Sequence, residues 1–205
     1  MKVVGLTGGI ASGKSFVAEI LTSYGAVIID ADMLSREVVA PGEPVYYSVI
    51  RTFGQGILRA DGSLDRKALG RIVFSDAAAR RVLEDIIHPA VAERAARRIA
   101  EERLKGSSVV FYMVPLLFEA GLASMMDEIW VVSVDGETEL ARLVKRDGID
   151  REEALRKMAA QMPMVEKVAR ADVVIDNSAT PAETERRVGH EWKKLLERLE
   201  KRNVT

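Results

Sequence analysis

The sequence has no cysteine, no long apolar run and no surplus of charge of either sign, and each absence narrows the possible functions. Without cysteine the chain forms no disulfides and performs no thiolate chemistry, which fits a reducing compartment. The 30 Lys and Arg residues nearly balance the 31 Asp and Glu residues. Bulk electrostatic attraction to nucleic acid or to an anionic membrane is therefore not expected.

Two further absences concern membranes and export. The longest stretch without a charged residue, Gly106 to Phe118, contains a proline and is shorter than the roughly 20 residues that span a bilayer. The N-terminal apolar residues lead into a glycine-rich motif rather than a cleavage site, so we expect no signal peptide. Together these features predict a soluble cytoplasmic protein that binds neither nucleic acid nor membrane. The sequence leaves the oligomeric state open.

A phosphate-binding motif lies near the N-terminus, between a strand pattern and a helix pattern. Residues 3–6 form a short apolar run typical of a buried strand. Gly8, Gly13, Lys14 and Ser15 then fit G-x-x-x-x-G-K-[ST]. The helix after the motif is predicted to bury one face, formed by Val17, Ile20, Leu21 and Tyr24.

The chemistry of this motif comes mainly from the backbone. Gly8 and Gly13 allow successive N–H groups to turn inward around a phosphate chain, and the helix N-terminus adds further unpaired N–H groups. Lys14 is positioned to reach the β- and γ-phosphates, and the Ser15 hydroxyl suits Mg²⁺. An ATP or GTP site is the strongest inference from the residues alone.

A pair of carboxylates follows the second apolar run, Ala26 to Ile29. Asp30 and Asp32 would point the same way if the strand continued through Ala31. They would then lie at the carboxyl end of a strand, where open α/β sheets bind ligands, and one could accept a proton from an attacking hydroxyl. We prefer Asp32 for this role; the alternative is that the pair caps a helix over residues 33–39.

Residues 41–105 form a helical block between the second and third strands. We predict helices over residues 45–53 and 63–74, then a third capped by Ser75 and ended by His88-Pro89, because proline restricts the residue before it. A fourth helix runs from Pro89 to Leu104. His88 is either a residue at the helix junction that bonds to the backbone, or part of the site for the molecule that accepts the phosphoryl group. We expect a solvated basic face formed by Arg94, Arg97, Arg98 and Arg103.

The remaining pattern completes a parallel sheet. Apolar runs at residues 108–114, 127–134 and 173–175 give strands three to five, and five strands alternating with helices predict a parallel α/β sheet. Thr180, Pro181 and Glu183 open the last helix as cap, first residue and capping-box partner. Residues 201–205 are expected to fray. We predict one domain over residues 1–205, with a core of 1–40, 106–136 and 170–205 and helical excursions at 41–105 and 137–169.

The second excursion concentrates positive charge in a nearly neutral chain. One interpretation is a helical lid whose arginines close over phosphates, as in phosphotransferases. The other is an ordinary charged surface, because acidic residues are interspersed. The basic residues concerned are Arg142, Lys145, Arg146, Arg151, Arg156 and Lys157.

Taken together, these motifs resemble the dephospho-coenzyme A kinase family, over nearly the whole length and in the right order. The matching segments are Gly5-Leu6-Thr7-Gly8-Gly9-Ile10, Ser12-Gly13-Lys14-Ser15, Asp30-Ala31-Asp32, Leu64-Asp65-Arg66, His88-Pro89, Pro115-Leu116-Leu117-Phe118-Glu119, Arg142, Arg146-Asp147, Ala160-Gln161, Ala171-Asp172 and Val174-Ile175-Asp176-Asn177. Three positions depart from the family pattern. Ala11 stands where glycine is common, Phe16 where threonine is usual, and Met113 where many members carry an acid.

The resemblance implies a P-loop NTPase-type fold: a five-stranded parallel sheet flanked by helices, with a helical acceptor-binding insertion at 41–105 and a helical lid at 137–169. It implies transfer of the ATP γ-phosphate, with Mg²⁺, to the ribose 3′-hydroxyl of dephospho-coenzyme A, the last step of coenzyme A synthesis. It places Asp32, Lys14 and Arg142 in catalysis, and Asp32, His88 and Arg66 at the acceptor. The phosphates fall on Gly8, Gly9, Ile10, Ala11, Ser12, Gly13, Lys14, Ser15 and Phe16, with Ser15 on the metal.

Three other classes of protein compete with this interpretation. A GTPase switch needs an N-K-x-D segment, yet Asn177 and Asn203 are the only asparagines and neither begins one. A P-loop kinase of another small nucleotide-like acceptor shares the sheet and the loop, although the Asp-Ala-Asp and His-Pro segments favour dephospho-coenzyme A. A catalytically dead binding module is disfavoured by the intact Lys14, Ser15 and Asp32.

Overall fold

Strands and helices alternate along most of the chain, of which the computed structural model describes residues 1–203. The strands are β1 Lys2–Gly8, β2 Val27–Asp30, β3 Val109–Met113, β4 Glu128–Ser133 and β5 Val173–Asp176. The helices are α1 Lys14–Ser23, α2 Ala31–Glu37, α3 Pro44–Phe53, α4 Arg66–Ser75, α5 Ala77–Leu104, α6 Gly136–Asp147, α7 Arg151–Ala159, α8 Met164–Ala169 and α9 Pro181–Asn203. No helix within this part of the chain is long and apolar enough to cross a membrane.

The chain divides into two compact units, which we describe separately. The first unit comprises Met1–Ile29 and the described chain from Glu102 onward, and it holds the sheet and the helices after it. The second unit comprises Asp30–Glu101 and is helical. The division of the domain into core, insertion and lid, as inferred from the sequence, stays a prediction.

The first unit is built on a five-stranded sheet in the order β2-β3-β1-β4-β5. Strand β1 runs parallel to both β3 and β4, and β4 runs parallel to β5. All five residues of β3 are buried, as an unbroken apolar run predicts for a strand covered on both faces. The predicted α/β class and five-stranded parallel sheet are confirmed.

Helices α1 and α9 pack together and cover one face of the sheet. Trp130 of β4 is fully buried in this core, as predicted. In α1, Val17, Ile20 and Leu21 are buried, but Tyr24 is 38% exposed because the helix ends at Ser23, before the next turn can bring it inward.

The cap and the first residue predicted for the last helix are confirmed, whereas the Glu183 carboxylate, predicted to complete a capping box, pairs with Arg187 at 3.0 Å. The N–H of Glu183 donates to Thr180 Oγ1 at 3.3 Å, and Pro181 is the first helical residue. The helix continues to Asn203, so residues 201–203 are helical. The rest of the predicted frayed end, residues 204–205, lies outside the described residues.

The second unit packs its helices around an apolar cluster of its own. The buried members of the cluster are Val38, Val39, Tyr46, Val49, Ile57, Leu64 and Leu69. Helix α4 begins at Arg66 rather than Ser63, because the Asp65 carboxylate accepts the N–H groups of Lys67 and Ala68 and sets the start.

The predicted helix break at His88-Pro89 is wrong. Helix α5 runs without interruption from Ala77 to Leu104, with Pro89 inside it. An interior proline removes one backbone hydrogen bond and costs roughly 3 kcal/mol. Apolar residues on both sides of Pro89 pack against the same buried cluster, and this packing offsets the cost: Ile86, Ile87, Ala90 and Val91. His88 is therefore an exposed residue in the middle of a continuous helix and not at a junction between two helices.

Two smaller predictions in this unit also need correction. Ser75 is the last residue of α4, and Asp76 accepts the N–H groups of Ala78 and Ala79 at the start of α5. Arg94 is not part of a freely solvated face, since its guanidinium lies 2.8 Å from Glu43 and 3.7 Å from Glu37.

A buried carboxylate ties the start of the chain to its last helix within the first unit. Glu128 is 5% exposed and accepts hydrogen bonds from Lys2, from Trp130 Nε1 at 2.8 Å and from Arg198 at 2.7 Å. Burial alone would raise the pKa of the Glu128 carboxyl, but Lys2, the Trp130 indole and Arg198 outweigh burial and hold the pKa below its ordinary value. The ionised form is therefore favoured by folding.

We expect Glu128→Ala to lower the free energy of unfolding by about 3–5 kcal/mol, because it leaves Lys2 and Trp130 without their buried partner. At about 2–4 °C per kcal/mol, the melting temperature measured by circular dichroism should fall by roughly 6–20 °C. The pKa of Glu128 is lower in the folded protein than in the unfolded chain. The stability difference between the variant and the unmodified protein should therefore be complete above pH 4.5, and it should shrink as the pH falls through the folded-state pKa of Glu128.

The matched control is Glu152→Ala, which removes the exposed ion pair of Glu152 with Arg156. Such pairs contribute about 0–1 kcal/mol, so this variant should melt close to the unmodified protein. Equal effects of the two substitutions would contradict a special role for Glu128.

Candidate nucleotide-binding site

The loop between β1 and α1 has a backbone that only glycine permits at its two ends. A Cβ on Gly8 would overlap the carbonyl of Val132, and a Cβ on Gly13 would overlap the side-chain amide of Asn177. Gly13 also has a φ of 93°, in the left-handed region. The two motif glycines are therefore required by close packing against β4 and the end of β5.

Ala11 shows how the loop accommodates a departure from the family pattern. It has a φ of 57°, the one positive value for a non-glycine residue among residues 1–203. A left-handed conformation costs an L-residue roughly 1–2 kcal/mol. The Ala11 side chain packs against the buried cluster of Leu140, Leu143 and Ala154 between α6 and α7, which offsets part of that cost.

Phe16, the second departure, turns its ring away from the loop. It packs against the apolar core beneath α1, so only its main-chain N–H is available to a phosphate. The third departure, Met113, is 8% exposed at the end of β3 and belongs to the same core.

Lys14 and Ser15 stand at the first turn of α1. Lys14 Nζ donates to the carbonyls of Gly8 at 3.1 Å and Gly9 at 2.7 Å, so the ammonium lies over the loop. Ser15 is exposed at the helix N-terminus, and Gly13 supplies no side-chain cap. Residues 1–203 contain no group of three or more Asp, Glu or His residues arranged to hold a metal ion.

One buried polar atom in the loop is orphaned. Ser12 is completely buried, and its hydroxyl has no hydrogen-bond partner among the described residues. Leaving a buried hydroxyl unpaired costs about 1–3 kcal/mol, and such groups concentrate where function requires them. Two glycines without room for a side chain and an unsatisfied hydroxyl are features that fit a phosphate-binding cradle.

Arg142 differs from the other basic residues of the second excursion. It is half-buried, donates to the carbonyl of Asn177 at 3.0 Å, and has Nη1 3.9 Å from the point where a Gly13 Cβ would lie. Four of the others lie in ion pairs with acidic neighbours: Arg146 with Asp147, Arg151 with Glu137, Arg156 with Glu152, and Lys157 with Asp147 and Glu153. The charged-surface interpretation holds for those four, while Arg142 lies beside the loop.

A second contact joins the excursion to the loop. The N–H of Ile10 donates to Gln161 Oε1 at 3.0 Å, and the next residue, Met162, donates its N–H to Glu119 at 2.9 Å. The chain after α7 is thus bonded both to the loop and to the segment that follows β3. Gln161 matches the family pattern, but the sequence alone predicted no contact for it.

Two buried charges near the loop were missed from the sequence. Lys167 is fully buried with Nζ 2.8 Å from Glu119. Glu139 is 7% exposed, and its carboxylate lies where a Cβ on Gly9 would point. Burial raises the pKa of the Glu139 carboxyl, although the charges of Lys14 and Lys167 oppose this. The sequence could have indicated that Glu139 is buried, because it precedes the buried Leu143 by one helical turn and so lies on the same face of α6.

The carboxylates of the second unit have separate roles. Helix α2 begins at Ala31, so the strand does not continue to Asp32 and the expected alignment of Asp30 with Asp32 fails. Asp30 is the N-cap, and its Oδ1 accepts the N–H of Asp32 at 2.8 Å. Asp32 stands in the first turn of α2 with an exposed side chain.

Arg66 lies in a cluster of like charges in the second unit. Partial burial, and after it the positive charges of Arg36 and Arg59, lower the pKa of the Arg66 guanidinium. Because Asp32, Arg66 and His88 all belong to this unit, their predicted position beside the phosphate loop of the first unit stays a prediction.

Known proteins share this architecture over its full length. A family model described as dephospho-CoA kinase matches residues 2–183. The dephospho-CoA kinase of Geobacter metallireducens is 56% identical over 97% of this chain and 98% of that protein. Among solved structures, a Thermus thermophilus protein has a TM-score of 0.78 at 36% identity over 97% of each chain. Dephospho-CoA kinase from Campylobacter jejuni has a TM-score of 0.73 at 26% identity, covering 94% of this chain and 96% of that one.

The parallel sheet, the glycine-bounded loop and Lys14 at the start of α1 define a P-loop kinase. The family model and the sequence relatives identify one family within this class of kinases, and they confirm the resemblance drawn from the motifs. The chain belongs to the dephospho-CoA kinase family, whose members are ATP-dependent enzymes.

The position of Arg142 beside the loop predicts a loss of turnover when it is removed. We expect Arg142→Ala to lower kcat by roughly 10³-fold, the lower end of the range for an arginine that neutralises a transferring phosphoryl group. The melting temperature should change little, because Arg142 is only half-buried. Steady-state ATP turnover and circular dichroism provide the two measurements.

Arg156→Ala is the matched control, since Arg156 lies on α7 in an exposed pair with Glu152. Its kcat should stay within about twofold of the unmodified enzyme. A fall in melting temperature without a fall in turnover for Arg142→Ala would assign Arg142 to the charged surface.

Proposed function

We propose that the chain transfers the γ-phosphoryl group of ATP to the ribose 3′-hydroxyl of dephospho-coenzyme A, giving coenzyme A and ADP. The observation that carries this proposal is the phosphate loop, whose two ends admit only glycine and which Arg142 flanks. The family supplies the acceptor. Phosphorylation of another small nucleotide-like acceptor is the alternative that the experiment below addresses.

The residues of the loop fit the phosphates of ATP. Gly8, Gly9, Ile10, Ala11, Ser12, Gly13, Lys14, Ser15 and Phe16 would hold them, mainly through main-chain N–H groups at the N-terminus of α1. Lys14 would leave the Gly8 and Gly9 carbonyls for the phosphates. Ser15 would hold Mg²⁺, which neutralises charge on the β- and γ-phosphates when bound.

Asp32 is proposed as the proton acceptor. The Asp30 carboxylate is engaged in capping α2, so the role falls to its neighbour. The 3′-oxygen forms a bond to the γ-phosphorus, the bond from that phosphorus to the ADP oxygen breaks, and the hydroxyl proton passes to the Asp32 carboxylate. Positioning and charge neutralisation would supply most of the acceleration, with Arg142 offsetting charge on the group in transfer.

Each of the two helical excursions is proposed to have a role in this reaction. Residues 41–105 would bind the acceptor through Arg66 and His88, and residues 137–169 would form the lid. The positive charges of Arg36 and Arg59 close to the Arg66 guanidinium support an anionic ligand in the second unit, since a diphosphate would offset them. Dephospho-coenzyme A carries such a group.

The cellular setting is proposed on composition. A net charge of −1 and the absence of cysteine support a cytoplasmic enzyme of small molecules, with no nucleic-acid or membrane partner. Residues 1–205 are proposed to act as one P-loop kinase domain.

An acceptor screen tests the proposed reaction. Purified protein with Mg-ATP should phosphorylate dephospho-coenzyme A more than about 10²-fold faster than AMP, adenosine or shikimate, because a site built to bind the acceptor's polar groups discriminates strongly. Product formation is followed by chromatography of coenzyme A and ADP. Adding EDTA should stop the reaction if Mg²⁺ is required.

Two results of the screen would refute the assignment. Equal rates on all acceptors would indicate an unspecific kinase, and a preference for AMP, adenosine or shikimate would identify the alternative acceptor.

Asp32→Asn tests the proposed base. We expect kcat to fall by roughly 10²-fold or more, the scale of a positioned general base, while ATP affinity measured by calorimetry stays within about twofold. Asp30→Asn is the control, because asparagine caps helices as well as aspartate does and the variant should keep its turnover. Loss of turnover in Asp30→Asn with full activity in Asp32→Asn would transfer the role to Asp30.

A further inference from the structure

Asn177 makes four contacts at one point of the first unit. It directly follows β5 and is 5% exposed. Its backbone N–H donates to the carbonyl of Ser133 at 2.8 Å, and its own carbonyl accepts from Arg142. Its side-chain Nδ2 donates to the carbonyl of Ser12 at 2.8 Å, and its Oδ1 accepts from Thr184 Oγ1 at 2.9 Å. The residue therefore joins the end of the sheet, the loop, helix α9 and the arginine.

The bond to Ser12 sets the orientation of a phosphate-binding amide. In a planar trans peptide the C=O and N–H groups point in opposite directions. Holding the Ser12 carbonyl against Asn177 turns the N–H of Gly13 to the other side of the peptide, away from Asn177. Since Gly13 has no room for a Cβ there, the side-chain amide and the loop backbone are in direct contact.

The same residue places the guanidinium of Arg142. Arg142 is held by the Asn177 carbonyl at 3.0 Å, with its second terminal nitrogen near Gly13. The side-chain amide that fixes the loop and the carbonyl that fixes the arginine are thus parts of one residue. Loss of the side-chain amide would free the loop while the main-chain carbonyl still held the arginine, so the spacing between the two groups would change.

We propose that Asn177 is a positioning residue that sets the distance between the Gly13 amide and the Arg142 guanidinium, and that Thr184 fixes its orientation. Nδ2 and Oδ1 each bond to a group of the protein, and on this proposal Asn177 acts on the nucleotide through the groups that it holds. Thr184 is completely buried on α9, so the last helix takes part in forming the site. This inference rests on ATP binding by the loop and not on the identity of the acceptor.

Thr184 offers the sharper test, because its hydroxyl can be removed and restored with little change of shape. Thr184→Val should weaken ATP binding by about tenfold, the scale of one hydrogen bond, because Oδ1 loses its donor and the amide is no longer fixed. Thr184→Ser should restore the affinity to within about twofold. Titration calorimetry with ATP, at a temperature where circular dichroism shows every variant folded, gives these affinities without any acceptor.

Arg187→Gln is the matched control at the same junction of β5 and α9. Arg187 donates to the carbonyl of Asp176, the residue before Asn177, at 2.8 Å, and it pairs with the carboxylates of Asp176 and Glu183. Among the described residues it has no recorded bond to the loop. Its loss should change ATP affinity by less than about twofold, whatever its effect on melting.

A double-mutant cycle tests the link to Arg142. Asn177→Ala alone should lower kcat by roughly 10- to 100-fold, as a misplaced catalytic group does, but by less than about twofold in an Arg142→Ala background. Effects that multiply would overturn the proposal, as would a Thr184→Val variant that melts earlier yet binds ATP like the unmodified protein. If the Thr184 variants show the expected ATP affinities but the unmodified protein does not phosphorylate dephospho-coenzyme A, the proposed acceptor is refuted and this inference stands.

Discussion

The close approach of the loop backbone to Asn177 is the constraint on which the site depends. It requires glycine at position 13, it fixes the Ser12 carbonyl, and it places Arg142 beside the first turn of α1. None of these contacts is local in sequence, since β1, α6 and β5 meet only because β4 lies between β1 and β5 in the sheet. The strand order is therefore the structural cause of the site, and the motif residues are the parts that it brings together.

Electrostatics around the loop follow from the same packing. Glu139 and Lys167 are withdrawn from water beside the loop, and Lys167 reaches the carboxylate of the more exposed Glu119. Burial raises the pKa of the Glu139 carboxyl, and the ammonium groups of Lys14 and Lys167 act against that rise. The pairing of Lys167 with Glu119 offsets the cost of burying the Lys167 ammonium. Two carboxylates and one ammonium therefore lie close to the loop, and Lys14 and Arg142 add positive charge beside it.

Local pattern predicted the elements well and the contacts between them poorly. Apolar runs located all five strands, and the loop motif, the Thr180 cap and the buried Trp130 followed from residue type and spacing alone. The predicted helix break at Pro89 was wrong because the steric preference of one residue is outweighed by the apolar cluster that packs on both sides of it. Asp30 and Asp32 were expected to align because the sequence does not show that α2 begins at once. Asn177 was seen only as part of a family segment, since its partners lie far away along the chain.

The central place of β1 in the sheet has a consequence for biosynthesis. Lys2 pairs with Val109 and Val4 with Glu128, so neither neighbour of the first strand exists when that strand leaves the ribosome. At 5–20 residues per second, about 5–25 s of translation separate the strand from its partners. During that interval an apolar segment with open hydrogen-bonding edges is exposed in the nascent chain. The second unit, whose residues are all made earlier than β3, is the first part able to complete a core of its own.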